Sequence, residues 1–217
     1  MKKIVRNQEY DPKVLKKLHD LQLEMLQDLE KICDKYNLKY FAVFGTALGA
    51  VRHNGFIPWD DDVDLLMPRP DFDKLHDLLR KGNIRPYYKL ISLQMGNSFW
   101  PFAKIIDTRT YVKNEYSNVD QHLWIDIFPM DGLPDDKEES DILLSKAEPL
   151  KKWINRCSAT IGKGKGFVRS IVKIPMILFL RMYTPERFGR KLDKLAHQYD
   201  FDKQEYIGGV AWSLGPN

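Results

Sequence analysis

The sequence predicts an α+β fold: a mixed β-sheet core with flanking helices, followed by a helical C-terminal region. Three observations carry that expectation. Over the first 130 residues, stretches of helical periodicity alternate with short apolar runs of strand character. A turn-rich breaker, PMDGLPDD at 129–136, ends the alternation, and the residues beyond it repeat only at helical spacing. The 217 residues suffice for one well-cored domain with such an appendage, which sets a core at 1–134 and a mostly helical, basic region at 135–217.

Each element has its own signal. Asp11 and Pro12 suit an N-cap and a first helical position. Val14, Leu18, Leu21, Met25, Leu29 and Ile32 then recur at helical spacing to about residue 36. YFAVFG (40–45) reads as a buried strand ending at glycine, and TALGAVRHNG (46–55) as a short helix stopped at Asn54 and Gly55. DDDVDLLM (60–67) reads as a second strand, and PDFDKLHDLLRKG (70–82) as a helix between Pro70 and Gly82. YYKLISLQ (87–94), FAKII (102–106), TYVKN (110–114) and HLWIDIF (122–128) complete the strands. Residues 136–155 and 184–199 have helical periodicity. Between them, FVRSIVKIPMILFLRMY (167–183) is apolar but broken by Arg169, Lys173 and Pro175. Its longest uncharged stretch, 174–180, falls far short of the ~20 residues a membrane span needs.

Composition narrows the function classes. Cys33 and Cys157 are the only cysteines and stand far apart without metal-ligand spacing, which excludes a disulfide framework or a zinc knuckle and fits a reducing compartment. The N-terminal MKKIVRNQEYDPK has only Ile4 and Val5 as an apolar segment, so a cytoplasmic protein without an export signal is expected. The net charge of +4 is unevenly placed. Residues 151–194 carry 12 Lys and Arg against 2 Asp and Glu, whereas 1–150 carry 21 against 25. Such a basic block fits nucleic acid, anionic lipid or a phosphorylated substrate.

The most informative feature is the crowd of aspartates at 60–64. On a strand, Asp60, Asp62 and Asp64 would share a face while Asp61, Val63 and Leu65 point away. Neighbouring ionised carboxylates ~7 Å apart repel by roughly 2 kcal/mol at an effective dielectric near 20, so a cation should offset them. A D-x-D pair at a strand end suits Mg²⁺ or Mn²⁺ with substrate phosphates. A solvated acidic turn is the bland alternative, but Asp64 is enclosed by Val63, Leu65 and Leu66. An EF-hand loop from Asp60 fails because Leu65 holds the position that needs glycine. The DDxxD pattern of isoprenoid synthases belongs on a long helix, which Pro58 and the β-rich flank oppose. Upstream, Gly45 and Thr46 at a strand-to-helix corner offer backbone N–H groups and a hydroxyl to a phosphate.

FGTALGAVRHNGFIPWDDDVDL (44–65) and WIDIFPMDGLP (124–134) together resemble the LicD family of phosphocholine and related phosphodiester transferases, which includes the fukutin-related proteins. The resemblance covers roughly 15–135 and implies a nucleotidyltransferase-like fold. It implies phosphate binding by Gly45 and Thr46, metal binding by Asp62 and Asp64 with Asp60 beside them, and a third carboxylate, as metal ligand or base, at Asp126. Without the family, a lone Asp at 126 could also be a buried, hydrogen-bonded structural residue. Arg52 could reach a phosphate or pair with an aspartate, and Lys104 could touch phosphate or face water on an edge strand. Trp59, Trp100 and Trp124 suit either a cage for a quaternary ammonium or core packing.

The implied function is metal-dependent transfer of a phospho-group, phosphocholine from CDP-choline or a related CDP-linked donor. The acceptor is a hydroxyl on a glycan, a polyol phosphate, or a teichoic acid or lipopolysaccharide precursor, free or lipid-linked. The basic segment flanked by Lys163, Lys165, Arg169, Lys173, Arg181 and Arg187 would rest on an anionic membrane face or pack on the core. A non-catalytic binding protein that keeps the fold, and a nucleotidyltransferase acting on RNA or a small molecule, are the alternatives. No aromatic-basic platform favours nucleic acid. The resemblance departs at the C-terminus, where the family pattern continues with an aromatic and proline-containing stretch and this chain closes on EYIGGVAWSLGPN, as a short or truncated member would.

Overall fold

The computed structural model describes residues 11–82, 84–112, 121–158 and 185–212. The expected α+β architecture is present, with a mixed sheet and flanking helices. The chain divides into two compact units. Among the described residues, the first holds 11–82, 84–91, 102–112 and 121–130, and the second holds 92–101, 131–158 and 185–212.

In the first unit, helix α1 (Pro12–Tyr36) starts at Asp11, whose carboxylate accepts from the Lys13 N–H, with Pro12 at the first turn. It ends at Asn37, which adopts left-handed backbone with φ 52°. Its buried stripe is Leu15, Leu18, Gln22, Met25, Leu29 and Cys33. That stripe is rotated from the expected one, since Val14 is exposed and a glutamine replaces a hydrophobe at the centre. Asp28 is also buried on α1. Both its oxygens accept from the Arg85 guanidinium, which holds its carboxyl down near 2 despite burial.

The strands are β1 (Phe41–Ala42), β2 (Asp64–Pro68), β3 (Tyr88–Ile91), β4 (Ala103–Val112) and β5 (Gln121–Leu133), in spatial order β1-β2-β5-β4-β3. The β2–β5 pair is parallel and the others are antiparallel. The expected strands at 102–106 and 110–114 are one strand, β4, whose pairing with β5 shifts register between Asp107 and Val112. Leu65, Ile127 and Ala103 align across β2, β5 and β4 and are essentially inaccessible. With Met67, Ile125 and Ile105 they form the buried face, beside Met25 and Leu29 of α1 and Phe72 and Leu75 of α3 (Arg69–Lys81).

β5 runs on to Leu133, into the expected breaker, and two further boundaries, both next to the aspartates, also differ from expectation. The strand expected over 40–45 pairs only at β1, because helix α2 (Phe44–His53) has already begun, so Gly45 lies inside a helix rather than closing a strand. The strand expected over 60–67 begins at Asp64, and residues 60–63 are loop. Helix α2 folds back closely on the following loop at Gly49: a Cβ there would meet the Gly55 carbonyl oxygen at 2.5 Å and the Ile57 nitrogen at 2.9 Å. Both are backbone atoms that cannot rotate away. Gly49→Ala should therefore cost about 1–3 kcal/mol, read as a lower melting temperature by circular dichroism.

In the second unit, α4 (Lys137–Ser158) and α5 (Pro185–Ala196) bury Leu143, Ala147, Ile154, Leu192 and Ala196 with Val210 and Ala211. Gly189 lets α5 approach the Phe99 carbonyl more closely than any side chain would permit. The short strand β6 (Tyr206–Gly208) pairs antiparallel with Asp131, Gly132 and Leu133 at the end of β5. The apolar, basic stretch 167–183 lies outside the described residues. Among the described residues, no helix is long and apolar enough to cross a membrane.

Candidate active site

Sheet register brings the first two acids together. Asp64 and Asp126 are Cα partners on parallel β2 and β5, and Lys104 is the partner of Asp126 on β4. The three positions form a row across adjacent strands on the face opposite Leu65, Ile127 and Ala103. Asp126 is buried, and both its oxygens are engaged. Oδ1 pairs with Lys104 Nζ at 2.6 Å, and Oδ2 accepts from Trp124 Nε1 at 2.8 Å. Lys104 also lies 4.5 Å from the centre of the Trp124 ring. It is thus a central-strand cation bound into the acidic group, not an edge lysine facing water.

The other acids arrive by a loop. Because 60–63 is not a strand, Asp61 does not turn away, and ligand oxygens of Asp60, Asp61 and Asp62 lie within 4.8 Å of one another. The loop acids and the strand acids sense one another. Burial, then the charges of Asp62, Asp126 and Asp60, push the Asp64 carboxyl up to about 7, against a smaller downward pull from Lys104. A carboxyl whose ionisation is opposed by three others is a site that favours a cation. The donors are all hard carboxylate oxygens with no thiolate or imidazole among them, which fits Mg²⁺ or Mn²⁺ rather than zinc.

The glycine–threonine corner lies against this group. The Asp60 carboxylate packs against Gly45, where a Cβ would collide with it. Thr46 Oγ1 accepts from the Asp64 N–H at 2.9 Å, so the threonine anchors the first residue of β2 and keeps its own proton available to donate. Phe44, the first residue of α2, has φ 49°, a left-handed conformation that bulky side chains avoid and that costs on the order of 1–3 kcal/mol. Gly45, Thr46, Asp60 and Asp62 also line a cavity of about 190 Å³ whose remaining walls are apolar, including Leu23, Leu26, Phe56 and Ile57.

Other expected residues fall elsewhere. Arg52 is exposed, seven residues along α2 from Gly45 and so ~10 Å away, and makes no ion pair with the aspartates among the described residues. Trp59 is exposed, so it does not pack in the core, and its ring meets His53 edge-on at 6.2 Å. Trp124 is the tryptophan in contact with the acids. Trp100 belongs to the second compact unit.

Two residues escaped the sequence reading. His19 Nε2 donates to the Asp60 carbonyl at 2.7 Å, and its ring stacks on Phe56 at 4.2 Å. Gln22 Nε2 reaches the Asp61 carbonyl at 3.0 Å and the Trp124 carbonyl at 3.4 Å. No signal in the sequence marked either, because the apolar stripe from Val14 to Ile32 contains neither residue, and Gln22 stands out only once the buried face is known.

Residues 37–153, more than half of the chain and including every acid of this group, match the nucleotidyltransferase domain described for LicD, FKTN and FKRP. The chain belongs to the LicD family. It is 27% identical over 195 residues to the lipopolysaccharide cholinephosphotransferase LicD of Haemophilus influenzae, an alignment that covers 89% of this chain and 72% of that protein. Shorter similarities reach two uncharacterized rickettsial proteins. One from Rickettsia prowazekii is 41% identical over 56 residues, 26% of this chain and 21% of that protein. One from Rickettsia typhi is 48% identical over 42 residues, 19% of this chain and 14% of that protein. The LicD match begins one residue after α1 ends, so His19 and Gln22 come from a helix outside the matched domain.

Within this LicD-family site, Lys104 should act as the internal counter-charge of Asp126. Lys104→Met is expected to lower the stability of the metal-free protein by about 1 kcal/mol, the pair being only partly shielded from water. The same variant should show a larger Mg²⁺-induced rise in melting temperature than wild type.

Proposed function

We propose that this chain is a metal-dependent phosphotransferase that moves phosphocholine, or a closely related phospho-alcohol, from a CDP-linked donor to a hydroxyl of a glycan or polyol-phosphate acceptor. The observation that carries the reading is the row of Asp64, Asp126 and Lys104 facing the Asp60–Asp62 loop, beside the start of α2. The lipopolysaccharide cholinephosphotransferase relative supports the choice of transferred group.

Asp62 and Asp64, with Asp60 and Asp126 beside them, would hold Mg²⁺ or Mn²⁺. When bound, that ion supplies charge neutralisation for the donor's phosphates. Thr46 and the Gly45 backbone orient those phosphates at the start of α2. Lys104, paired with Asp126, would offer its ammonium to a phosphate oxygen of the donor. Asp126 would accept the proton of the attacking hydroxyl. A new bond forms between the acceptor oxygen and the choline-bearing phosphorus, the pyrophosphate bridge breaks, and CMP leaves. The chain supplies positioning and charge, which carry most of the barrier reduction in such transfers.

The test is release of CMP from CDP-choline by the purified chain with a lipopolysaccharide-type acceptor, with and without Mg²⁺. CDP-ribitol, CDP-glycerol and a nucleoside triphosphate serve as alternative donors. Metal-dependent CMP release with CDP-choline supports the reading; pyrophosphate release from the triphosphate alone rejects it in favour of nucleotidyl transfer. Peripheral attachment through the basic segment around Lys163–Arg187 is part of the same proposal. It predicts co-sedimentation with anionic vesicles that high salt reverses.

A further inference from the structure

We propose that Gln22 and His19 are positioning residues that set the separation between the aspartate loop and the strand carrying Asp126. This rests on the metal-binding reading above. Gln22 is 1% exposed, in a stripe otherwise made of Leu15, Leu18, Met25 and Leu29. Its two amide protons go to the carbonyls of Asp61 and Trp124, while among the described residues no donor reaches its Oε1. A buried oxygen without a donor is unfavourable, and an apolar side chain of the same size would avoid that cost. Stability therefore does not account for a glutamine here. Its distinguishing act is to tie two backbone segments, one between Asp60 and Asp62 and the other two residues before Asp126.

The loop needs such a tie. The sheet secures its C-terminal end, where the Asp126 N–H donates to the Val63 carbonyl at 2.9 Å, while residues 60–62 lie outside the strands. They carry three like charges close together, and those of Asp60 and Asp62 act on Asp64. His19, one turn from Gln22 on α1, fixes the loop's start by donating to the Asp60 carbonyl while stacking on Phe56. One helix face thus holds a self-repelling loop at two places, the Asp60 and Asp61 carbonyls, and ties it to β5 at Trp124. Oxygens that share a divalent ion must be held within a fraction of an ångström, so loosening these ties should show first in metal affinity.

The experiment measures Mn²⁺ binding to the full chain by electron paramagnetic resonance, with circular dichroism as a control for folding. Gln22→Leu, which keeps the volume and removes both donors, should weaken Mn²⁺ binding about tenfold or more. His19→Phe keeps the stacking and loses the donor, and should weaken it similarly. His19→Gln restores a donor near the Nε2 position and should recover most of the affinity, which a purely packing role would not produce. Mn²⁺ affinity within twofold of wild type in both Gln22→Leu and His19→Phe overturns the proposal. If Gln22→Leu does not fold, the His19 pair alone decides. A wild-type chain that binds no Mn²⁺ instead removes the metal reading itself, before any variant is compared.

Discussion

Asp64→Asn is expected to reduce CMP release from the donor about 10³-fold or more at saturating Mg²⁺, equivalent to ~4 kcal/mol of lost transition-state stabilisation. The substitution is nearly isosteric. It leaves intact the Asp64 N–H donated to Thr46 and the pairing with Asp126 across β2 and β5, so the sheet is undisturbed. What it removes is one negative charge from a group where Asp60, Asp62 and Asp126 already oppose ionisation at that position. Metal-free Asp64→Asn should accordingly melt higher than wild type while being close to inactive. A purely structural aspartate would behave in the opposite way, with activity following stability downward. Turnover near the wild-type value would remove Asp64 from the reaction. This opposition between stability and activity is the expected mark of charges kept for a reaction at a cost to the fold.

How far the sequence revealed this site depended on the type of signal. Register was legible in part. The alternation in DVDLLM and WIDIF placed Asp64 and Asp126 on strands with apolar neighbours, and the structure pairs them directly. The path of the chain over 60–63 was not. Period-two alternation continues formally through Asp60, Asp62 and Asp64, but repulsion among the acids and the lack of a partner strand leave 60–63 as loop, so Asp61 joins the group. The start of α2 at Phe44 was hidden because the aromatic run YFAVF has strong strand character. The helix begins only by placing Phe44 in left-handed backbone, a tertiary choice that local propensity opposes. Lys104 could be read either as a phosphate contact or as an edge lysine facing water, because a single cation in an apolar strand says nothing about whether that strand is central. Its partner is fixed by sheet order, which joins residues far apart in the chain.

The second large effect is on stability against pH in the absence of metal. In the folded chain the Asp64 carboxyl titrates at about 7, against an ordinary value of 3.8. Between those values the folded state holds a proton that the unfolded state has released, so stability falls as pH rises. The fall begins above about pH 4 and is complete once pH passes the folded value near 7. Allowing for solvent screening of this half-buried group, it amounts to about 2 kcal/mol, or a drop of ~4–8 °C in melting temperature for a chain of this size. Another buried group acts in the opposite sense. His76 is desolvated and held below the usual imidazole value, which favours the folded state as pH rises to the ordinary histidine range. Asp28, held near 2, contributes stability that is present above about pH 4 and lost only as the pH falls toward 2, so it does not change at higher pH. The decisive quantity is therefore the difference between wild type and Asp64→Asn, measured in EDTA from pH 4.5 to 8.5, in which the other groups cancel. The wild type should lose stability relative to the variant across that range. Adding Mg²⁺ at pH 8 should restore it, because an ion bound only by the folded state stabilises that state by mass action, most strongly where no proton competes for the same oxygens. A difference that stays flat with pH, or Mg²⁺ that raises both proteins equally, would mean that Asp64 neither carries the raised proton affinity nor holds the ion.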